Sequence, residues 1–339
     1  MENLQVRIEK MPEGQPKASD FGIHSGPIPE PDDGEILVRT RYLALDPYIR
    51  VMMNGRHFLG QPSVGDVMRS RSVAEVVESR NPSFRVGERL LIETGMQQYC
   101  VTNGEGAQRF NIGDAPESTV LGVLGMPGFT SYCGLTQVGQ LLPGQTVLVS
   151  AASGAVGGMV GQIAVQMGAK AIGIAGSDEK CRWAIDNFGF EDCVNYKTEA
   201  VSERLKALRP DGYDIYFDNM GGDILDTVVA NHLGMGARIV LCGLITQYNN
   251  PEKPPGPNLA PLMGARASIL PLIVYDFEHL WDEFQSKARN WYAGGAIRYR
   301  EEVGEGLEAA PGLFAKLMRG ENFGKTLIHN PWPEEIAAT

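Results

Sequence analysis

The stretch from Val147 to Lys180 carries a spacing of small residues that suits phosphate binding. Ala151, Gly154 and Gly157 follow an apolar strand-like run and open a segment whose apolar residues recur at helical spacing. Gly154 lets the backbone approach a pyrophosphate, Gly157 lets the helix pack tightly on the strand, and the helix N-terminus offers unpaired amides. A tight strand-to-helix connection without a ligand is the alternative interpretation. The strand, glycine spacing, helix and second strand together favour a dinucleotide site.

The end of the second strand selects the cofactor. A carboxylate there would bind the ribose hydroxyls of NAD, whereas Ala175 is followed by Gly176 and Ser177, with Lys180 shortly after. Ser177 can donate a hydrogen bond to a 2′-phosphate, Lys180 a charge-assisted one, and Tyr196 can reach the same phosphate after the next strand. Lys180 taken alone is more typical of a solvated helix residue, and it is the absent carboxylate that favours the phosphate role. The absent carboxylate favours NADPH.

Two kinds of segment must position these residues. Before Val120, short alternating or β-branched runs separated by Gly and Pro predict a compact, mostly antiparallel β domain; these runs are GEILVRTRYLAL, SRSVAEVVES, GERLLIET and QQYCVT. From about Leu121 to Ala296 the pattern alternates strand and helix, which predicts a doubly wound parallel sheet. The pattern of the C-terminal tail, roughly residues 301–331, predicts a helix followed by a strand, KTLIH. These two elements either close the second domain or return to the first.

Composition excludes several classes of protein. The chain has 339 residues and a formal net charge of -11, which disfavours a nucleic-acid or anionic-membrane partner. The N-terminus lacks a signal-peptide pattern and no apolar run is long enough to span a bilayer, so we expect a soluble, cytoplasmic protein without a membrane partner. Five cysteines without a C-x-x-C pair predict reduced thiols and exclude a four-cysteine zinc lobe.

The whole chain resembles the zinc-independent branch of the medium-chain dehydrogenase/reductase superfamily, most closely the group of prostaglandin reductase, alkenal double-bond reductase and curcumin reductase. The motifs that carry the resemblance are LALDPYIR, GMPGFTSYCGL, AASGAVGGMVGQIA, AGSDEK, FDNMGG, CGLITQYN and ENFGKTLI. It implies an α/β protein made of a GroES-like β domain, residues 1–124 and 301–339, and a Rossmann NADPH-binding domain, residues 125–300. It places the active site in the cleft between them and sends the tail back to the first domain.

The resemblance also bears on the chemistry. Zinc-dependent members place a cysteine ligand where this chain has LALDPYIR, but no thiol lies around Asp46, and His57 is followed by Phe58 instead of a glutamate. We therefore expect no metal. Without a Lewis acid, the natural reaction is hydride delivery from NADPH to a carbon-carbon double bond that a carbonyl activates, in an enone or enal.

By the same resemblance, Tyr248 lies beside the nicotinamide ribose and the substrate oxygen and is the first catalytic candidate, with Tyr48 the second. Asp46 and Pro47 are typical of a turn, and Tyr248 is alternatively a tyrosine of an amphipathic loop. Asn322, Asn219 and Thr130 are expected near the nicotinamide, although each alone also suits a polar loop or cap. The cofactor-binding candidates are Thr130, Ala152, Gly154, Ala155, Val156, Gly157, Gly176, Ser177, Lys180, Tyr196, Asn219, Cys242, Gly243, Tyr248 and Asn322.

Two other functions stay open at this stage: an NADPH quinone oxidoreductase of the same superfamily, and a non-catalytic NADPH-binding protein. The run ASILPLIVYDF, residues 267–277, predicts a late apolar strand whose unpaired edge would favour aggregation. A two-fold partner can cover that edge, so we expect a homodimer through the Rossmann domain.

Overall fold

The computed structural model describes residues 2–55, 57, 60–250, 252 and 254–332. The chain divides into two compact units, Met1–Leu121 with Glu301–Thr339, and Gly122–Arg300. The strands are β1 (Asn3–Ile8), β2 (Phe21–Gly26), β3 (Ile36–Leu45), β4 (Arg71–Ser79), β5 (Arg89–Glu93), β6 (Tyr99–Thr102), β7 (Gln108–Arg109), β8 (Thr146–Ser150), β9 (Lys170–Ala175), β10 (Asp192–Asn195), β11 (Tyr213–Asp218), β12 (Leu233–Leu241), β13 (Ser268–Pro271), β14 (Glu301–Glu305) and β15 (Lys325–His329). The α-helices are α1 (Tyr48–Met53), α2 (Met126–Cys133), α3 (Ala155–Gln166), α4 (Asp178–Phe188), α5 (Val201–Leu208), α6 (Gly222–Asn231), α7 (Ala260–Ala265), α8 (Trp281–Ala293) and α9 (Ala310–Met318).

The first unit is a β domain. Its larger sheet runs β14-β15-β3-β4-β5-β7, with β6 also on β3, and β1 pairs with β2 in a separate hairpin. The pairs of β3 with β4 and β6, and of β4 with β5, are antiparallel, which confirms the predicted β domain. Alternate residues of β3, β4 and β5 face one core, where Val38, Val76 and Leu90 are fully buried.

The tail belongs to this first unit. The predicted helix and strand are present as α9 and β15, and β15 pairs antiparallel with β3, Thr326 opposite Leu45. The sequence pattern left the destination of the tail open, because a single amphipathic strand suits either sheet edge.

The second unit holds a parallel sheet of order β10-β9-β8-β11-β12-β13. Numbered within the unit, this is strand order 3-2-1-4-5-6, the order of a Rossmann fold, with the switch point between β8 and β11. Helices α5 and α6 cover one face, where Val228, Ile239 and Tyr216 belong to a buried cluster. Helices α3 and α4 contact β9, and α4 also contacts β10.

The late apolar run forms less strand than the sequence predicts. Only Ser268–Pro271 pairs with β12, and Val274–Leu280 coils into a 3-10 helix. Pro271 lacks the amide that would continue a ladder, so the strand ends there. Strand β12 begins at Leu233, four residues before the predicted ARIVLCGL run.

No helix of the described residues is long and apolar enough to cross a membrane.

Candidate cofactor and active site

The candidate residues of the second unit gather at the carboxyl edge of its sheet. Strand registers align Asn195 with Ala175, Ile174 with Ser150, and Asp218 with Leu241, so these five adjacent strands end side by side. The segments that follow them start with Tyr196, Gly176, Ala151, Asn219 and Cys242. In open parallel sheets, ligands bind outside the carboxyl ends of the strands at the switch point.

The turn between β8 and α3 is built for a close backbone approach. Ala151 takes a positive φ of 53°, and Gly154 is the N-cap of α3. A Cβ on Gly157 would lie 2.2 Å from the Ala151 carbonyl oxygen, whereas one on Gly154 would meet only that oxygen, at 3.2 Å. Gly157 is therefore required by packing, and Gly154 leaves room toward solvent. Ala152 donates its amide to Ile174 at 3.0 Å, which fixes the turn to β9.

The segment after β9 forms the corner expected to hold a 2′-phosphate. Ser177 is the N-cap of α4, and its hydroxyl oxygen accepts the Lys180 amide at 3.2 Å while its proton stays available for donation. Gly176 lies under Tyr196, whose hydroxyl would be 3.2 Å from a Cβ there. The structure thus brings Ser177, Tyr196 and the backbone of Lys180 to one corner.

Two features of this corner were not predicted from the sequence. Lys197 Cε would be 3.5 Å from a Gly176 Cβ, and the Lys197 ammonium lies 5.9 Å from the centre of the Tyr196 ring, so a second cation approaches the corner. Asp178, an acid next to Ser177, accepts a hydrogen bond from the Asn195 amide at 2.6 Å. The Asp178 carboxylate is therefore hydrogen-bonded to the last residue of β10.

Asp218 is a buried hub at the switch point. Its carboxylate accepts hydrogen bonds from the hydroxyls of Tyr216 at 2.7 Å and Ser150 at 3.0 Å, and from the amides of Met220 and Gly221, both at 3.0 Å. Burial, opposed by these hydrogen bonds, raises its pKa. Its carbonyl accepts from the Cys242 and Gly243 amides at 2.9 and 3.1 Å. One residue therefore connects β8, β11 and the segment after β12.

This hub fixes Asn219. The Asn219 backbone amide donates to the Ser150 hydroxyl at 2.8 Å, and its side-chain amide donates to the Ser150 carbonyl at 2.8 Å. Both ends of the residue are thus held by the last residue of β8. In α2, Thr130 donates to the Met126 carbonyl, and its neighbour Ser131 donates to the Val156 carbonyl at 2.9 Å. Helix α2 is therefore attached to the first turn of α3.

Tyr248 is a partly buried phenol beyond the end of β12. Its hydroxyl oxygen accepts the Leu244 amide at 3.2 Å and would be 3.1 Å from a Cβ on Gly243. Burial raises the pKa of Tyr248, so the hydroxyl keeps its proton at neutral pH and serves as a donor. Cys242 has intermediate exposure, and desolvation of its thiol raises the pKa to about 12. Tyr248, Cys242, Gly243 and the Asp218 carbonyl form one group.

The first unit contains the other two candidates. Tyr48 is the first residue of α1, and its ring lies 5.6 Å from the His57 ring. Asn322 lies just before β15 and donates its side-chain amide to the Gly324 carbonyl at 3.0 Å. Asp46, interpreted from sequence as part of a turn, also forms an ion pair with Lys325. This pair joins the residues before Tyr48 to the strand that follows Asn322.

Comparison with known proteins decides the family. One family model, described as the N-terminal domain of oxidoreductase, matches residues 4–110, and a second, described as zinc-binding dehydrogenase, matches residues 155–291. The chain is 40% identical over 337 residues to NADPH-dependent curcumin reductase of Escherichia coli (strain K12), covering 96% of both chains. It is 38% identical over 325 residues to prostaglandin reductase 1 of Bos taurus, covering 93% of this chain and 95% of the relative. The chain belongs to the medium-chain dehydrogenase/reductase superfamily.

A solved structure supports the same assignment. CurA from Vibrio vulnificus in complex with NADPH matches with a TM-score of 0.91 at 41% identity, covering 97% of this chain and 100% of that chain. The predicted group, which contains prostaglandin reductase and curcumin reductase, and the fold of a β domain with a Rossmann sheet are therefore confirmed.

The medium-chain family includes zinc enzymes, and one matching model carries zinc in its description. The segment LALDPYIR, where the family resemblance expects the cysteine ligand of zinc-dependent members, contains Asp46, whose carboxylate is paired with Lys325. Among the described residues, no three His, Cys, Asp or Glu side chains gather in a group that can hold a metal ion.

Proposed function

We propose that this protein is an NADPH-dependent reductase that saturates the carbon-carbon double bond of α,β-unsaturated ketones and aldehydes. The observation that carries the proposal is one sheet edge that joins a phosphate-accepting corner to a partly buried, protonated phenol, Tyr248. The relatives named NADPH-dependent curcumin reductase and prostaglandin reductase 1 support it.

The turn between β8 and α3 fits the pyrophosphate of a dinucleotide. Gly154 presents no side chain, and the first amides of α3 point out of the helix N-terminus, where an anion is favoured. Ala152, Ala155 and Val156 complete the backbone of this turn, and Gly157 keeps it close to β8.

The corner beyond β9 suits NADPH better than NADH. Tyr196 and Lys197 lie against Gly176, Ser177 and Lys180 follow it in the N-cap and first turn of α4, and the acid beside Ser177 is held by Asn195. A 2′-phosphate would receive hydroxyl and ammonium donors there, and these charge-assisted contacts are the strong ones. NADH lacks the 2′-phosphate, so with NADH these hydroxyl and ammonium donors would hydrogen-bond to water instead.

Bound NADPH would supply a hydride to the β-carbon of the substrate. Negative charge then develops on the substrate carbonyl oxygen, and a fixed donor lowers the barrier to that change. We assign this donation to the Tyr248 hydroxyl, because burial keeps it protonated and the Leu244 amide holds its oxygen. The final proton goes to the α-carbon of the substrate, with Tyr248 as the residue of this chain best suited to relay it.

The remaining candidates are assigned to positioning. Asn219, held by Ser150, together with Thr130, Cys242 and Gly243, would surround the nicotinamide end of the cofactor. Tyr48 and Asn322 would act from the first unit. We accordingly propose that residues 1–124 and 301–339 form the GroES-like catalytic domain and residues 125–300 the NADPH-binding domain.

Deuterium transfer tests the reaction. With a simple aryl enone and NADPH labelled at the transferred hydride, we expect a saturated ketone that carries deuterium on the β-carbon. Deuterium on the carbinol carbon of an allylic alcohol would indicate a carbonyl reductase instead. Turnover of benzoquinone without turnover of any enone would favour the quinone oxidoreductase, and NADPH binding without any turnover would favour the binding protein.

We propose that this reduction needs no zinc, since the Asp46 carboxylate is already paired with Lys325. Dialysis of the enzyme against a strong chelator, followed by metal analysis, tests the point. We expect full turnover at a metal content well below one ion per chain. Loss of turnover that returns on addition of zinc would refute it.

We propose a homodimer formed along β13. Within the described residues this strand pairs with β12 alone, and so it ends the six-stranded sheet at an edge. Ile273, just beyond the end of β13, is an apolar side chain that is 48% exposed. A second copy across a two-fold axis would pair the edge and cover this side chain. Light scattering at micromolar concentration should give twice the chain mass, and a mass of one chain would contradict the proposal.

We also propose a cytoplasmic location, which the free state of all five cysteines supports. Fractionation of the native cells, with an antibody against the protein, would test it. Recovery from a secreted or membrane fraction would contradict it.

A further inference from the structure

Two cysteines of the second unit face each other across the layer between α4 and β10. The buried residues of α4 are Cys181, Ala184 and Phe188, a spacing that aligns them on the helix face toward the sheet. On β10, Val194 belongs to the cluster beneath α5 and α6, so its neighbour Cys193 points to the opposite face, where α4 lies.

The two thiols are in contact. The side chains of Cys181 and Cys193 form a hydrogen bond with each other. Gly173 on β9 makes room for Cys193, because a Cβ there would lie 2.9 Å from Cys193 Sγ and 2.8 Å from the Ala152 Cβ. Cys193 therefore lies on the side of β9 that also faces Ala152, in the turn assigned to the pyrophosphate.

The environment makes Cys181 the more nucleophilic member. The hydrogen bond from Cys193 lowers the pKa of Cys181, against the effects of burial and of Glu199 and Asp178. The same hydrogen bond and burial raise the pKa of Cys193. A lowered thiol pKa beside a second thiol is the arrangement of a redox-responsive pair.

We propose that Cys181 and Cys193 are a redox modification site, at which a peroxide forms a disulfide that weakens NADPH binding. The Cys181 thiolate attacks hydrogen peroxide, which breaks the oxygen-oxygen bond, leaves a sulfenic acid and releases water once protonated. Cys193 then attacks that sulfur, and a second water leaves. In sum, two thiols and one peroxide give one disulfide and two waters.

The link to the cofactor follows from the chain and rests on the function proposed above. Cys181 directly follows Lys180, and Cys193 lies three residues before Tyr196. A disulfide holds its sulfurs about 2.05 Å apart, closer than two hydrogen-bonded thiols. Its formation pulls the first turn of α4 toward β10, so Ser177 and Lys180 shift relative to Tyr196. The reciprocal effect is that bound NADPH opposes the disulfide.

The oxidant must be small enough to reach buried thiols, because Cys181 is only 7% exposed and Cys193 only 6% exposed. Hydrogen peroxide is accordingly the probe. The full-length protein is oxidised with and without NADPH, digested without reduction, and analysed by peptide mass spectrometry. We expect a peptide linked through Cys181 and Cys193, less of it when NADPH is present, and its loss on reduction with dithiothreitol.

Cofactor affinity is the second readout, measured by equilibrium fluorescence of NADPH. Oxidation should raise the Kd for NADPH about 5- to 10-fold, at the low end of usual coupling between sites. Cys181→Ser and Cys193→Ser should abolish both the linked peptide and the change in affinity. Cys133→Ser, a buried cysteine of α2 in the same unit, is the matched control and should leave both intact.

Absence of the linked peptide under conditions that oxidise other cysteines would overturn the proposal, as would a linked protein with an unchanged Kd. The two proposals fail separately. If the reduced protein does not bind NADPH, the proposed function fails, whereas peptide mapping still decides whether the disulfide forms.

Discussion

Gly176 determines the shape of the phosphate corner at the level of a single residue. A Cβ there would lie 3.2 Å from the Tyr196 hydroxyl and 3.5 Å from Lys197 Cε. The bare glycine therefore lets a hydroxyl and an ammonium approach the end of β9. The sequence predicted Lys180 and Tyr196 for this corner but missed Lys197, although it stands next to Tyr196 in VNYKT.

Replacing Lys180, which is half-buried, should weaken NADPH binding more than replacing Lys197, which is exposed. Lys180→Ala should weaken NADPH binding about 10- to 100-fold, because it removes a charge-assisted contact worth roughly 1.5 to 3 kcal/mol. Lys197→Ala should cost about 2- to 5-fold, since the Lys197 side chain is exposed to solvent. NADH binding should change little in either variant. The measurement is fluorescence titration with both cofactors.

Lys170→Ala is the control for these variants. Lys170 begins β9 at the opposite edge of the sheet, where it pairs with Glu191 at 2.9 Å. It should leave both affinities unchanged. An equal loss in the control, or equal Kd values for NADPH and NADH in the unmodified protein, would contradict the assignment of the corner.

Tyr248→Phe should lower kcat by about 10²-fold or less and leave the Kd for NADPH nearly unchanged. The hydroxyl is lost from the developing oxyanion, and a water or a ribose hydroxyl can share its role. Because burial raises the pKa of Tyr248 above its ordinary value near 10, its ionisation should not reduce kcat below about pH 10. Steady-state kinetics across pH check both points. Tyr292→Phe in α8 is the control, and equal losses in both variants would refute the assignment.

At the scale of elements, the turn from β8 to α3 assigns its two glycines different tasks. A Cβ on Gly157 would be 2.2 Å from the Ala151 carbonyl oxygen and 2.8 Å from the carbonyl carbon. The backbone cannot move aside there without moving the helix away from the strand. Gly154 has no comparable neighbour within the protein.

The paired variants Gly157→Ala and Gly154→Ala should therefore fail differently. Gly157→Ala should lower the free energy of unfolding by about 1 to 3 kcal/mol through overpacking. Gly154→Ala should cost about 1 kcal/mol or less, as a poorer N-cap, while its methyl group obstructs the pyrophosphate and weakens NADPH binding. Urea unfolding and NADPH titration separate the two effects. Equal stability losses would contradict the division of tasks.

Asp218 connects three elements, and its ionisation should make the free energy of unfolding depend on pH. Burial raises the pKa of Asp218 above its value in the unfolded chain. Its stabilising contribution is thus fully present below the unfolded pKa, near 3.9, and is lost as pH rises through the folded pKa. Asp218→Asn stays neutral and lacks this dependence, so its stability relative to the unmodified protein should improve as pH rises from about 4 to 7.

Urea unfolding across that pH range measures the effect. Asp218→Ala, which leaves the Tyr216 and Ser150 hydroxyls and two amides without their acceptor, should be destabilised by more than about 3 kcal/mol. A parallel pH dependence in Asp218→Asn and the unmodified protein would rule out Asp218 as its source.

For the whole molecule, binding and stability are linked through the second unit, Gly122–Arg300. A ligand that binds only the folded chain stabilises it by about 2.7 kcal/mol at roughly 100 times its Kd. For a unit of this size we expect NADPH to raise Tm by about 5 to 10 °C. NADH at the same concentration should raise Tm less, and Lys180→Ala should reduce the NADPH effect. Calorimetry checks this, and equal shifts with both cofactors would contradict it.

The sequence by itself determined what depends on neighbours along the chain. Alternating apolar runs gave the strands of the β domain, helical spacing after Gly154 gave α3, and the glycine spacing located the phosphate turn. These signals are local, because side-chain periodicity and turn chemistry follow from a few successive dihedral angles. The family motifs extended this to Tyr248, whose burial no local pattern indicates.

Only the tertiary structure decided which distant segments meet. It placed β15 beside β3, joined Asp46 to Lys325 across 279 positions, and gathered the ends of three strands around Asp218. It also brought Cys181 against Cys193 and shortened the late apolar run at Pro271. Such contacts depend on which surfaces are buried together and on which polar groups then need hydrogen-bond partners. Both are defined only when the whole chain is folded.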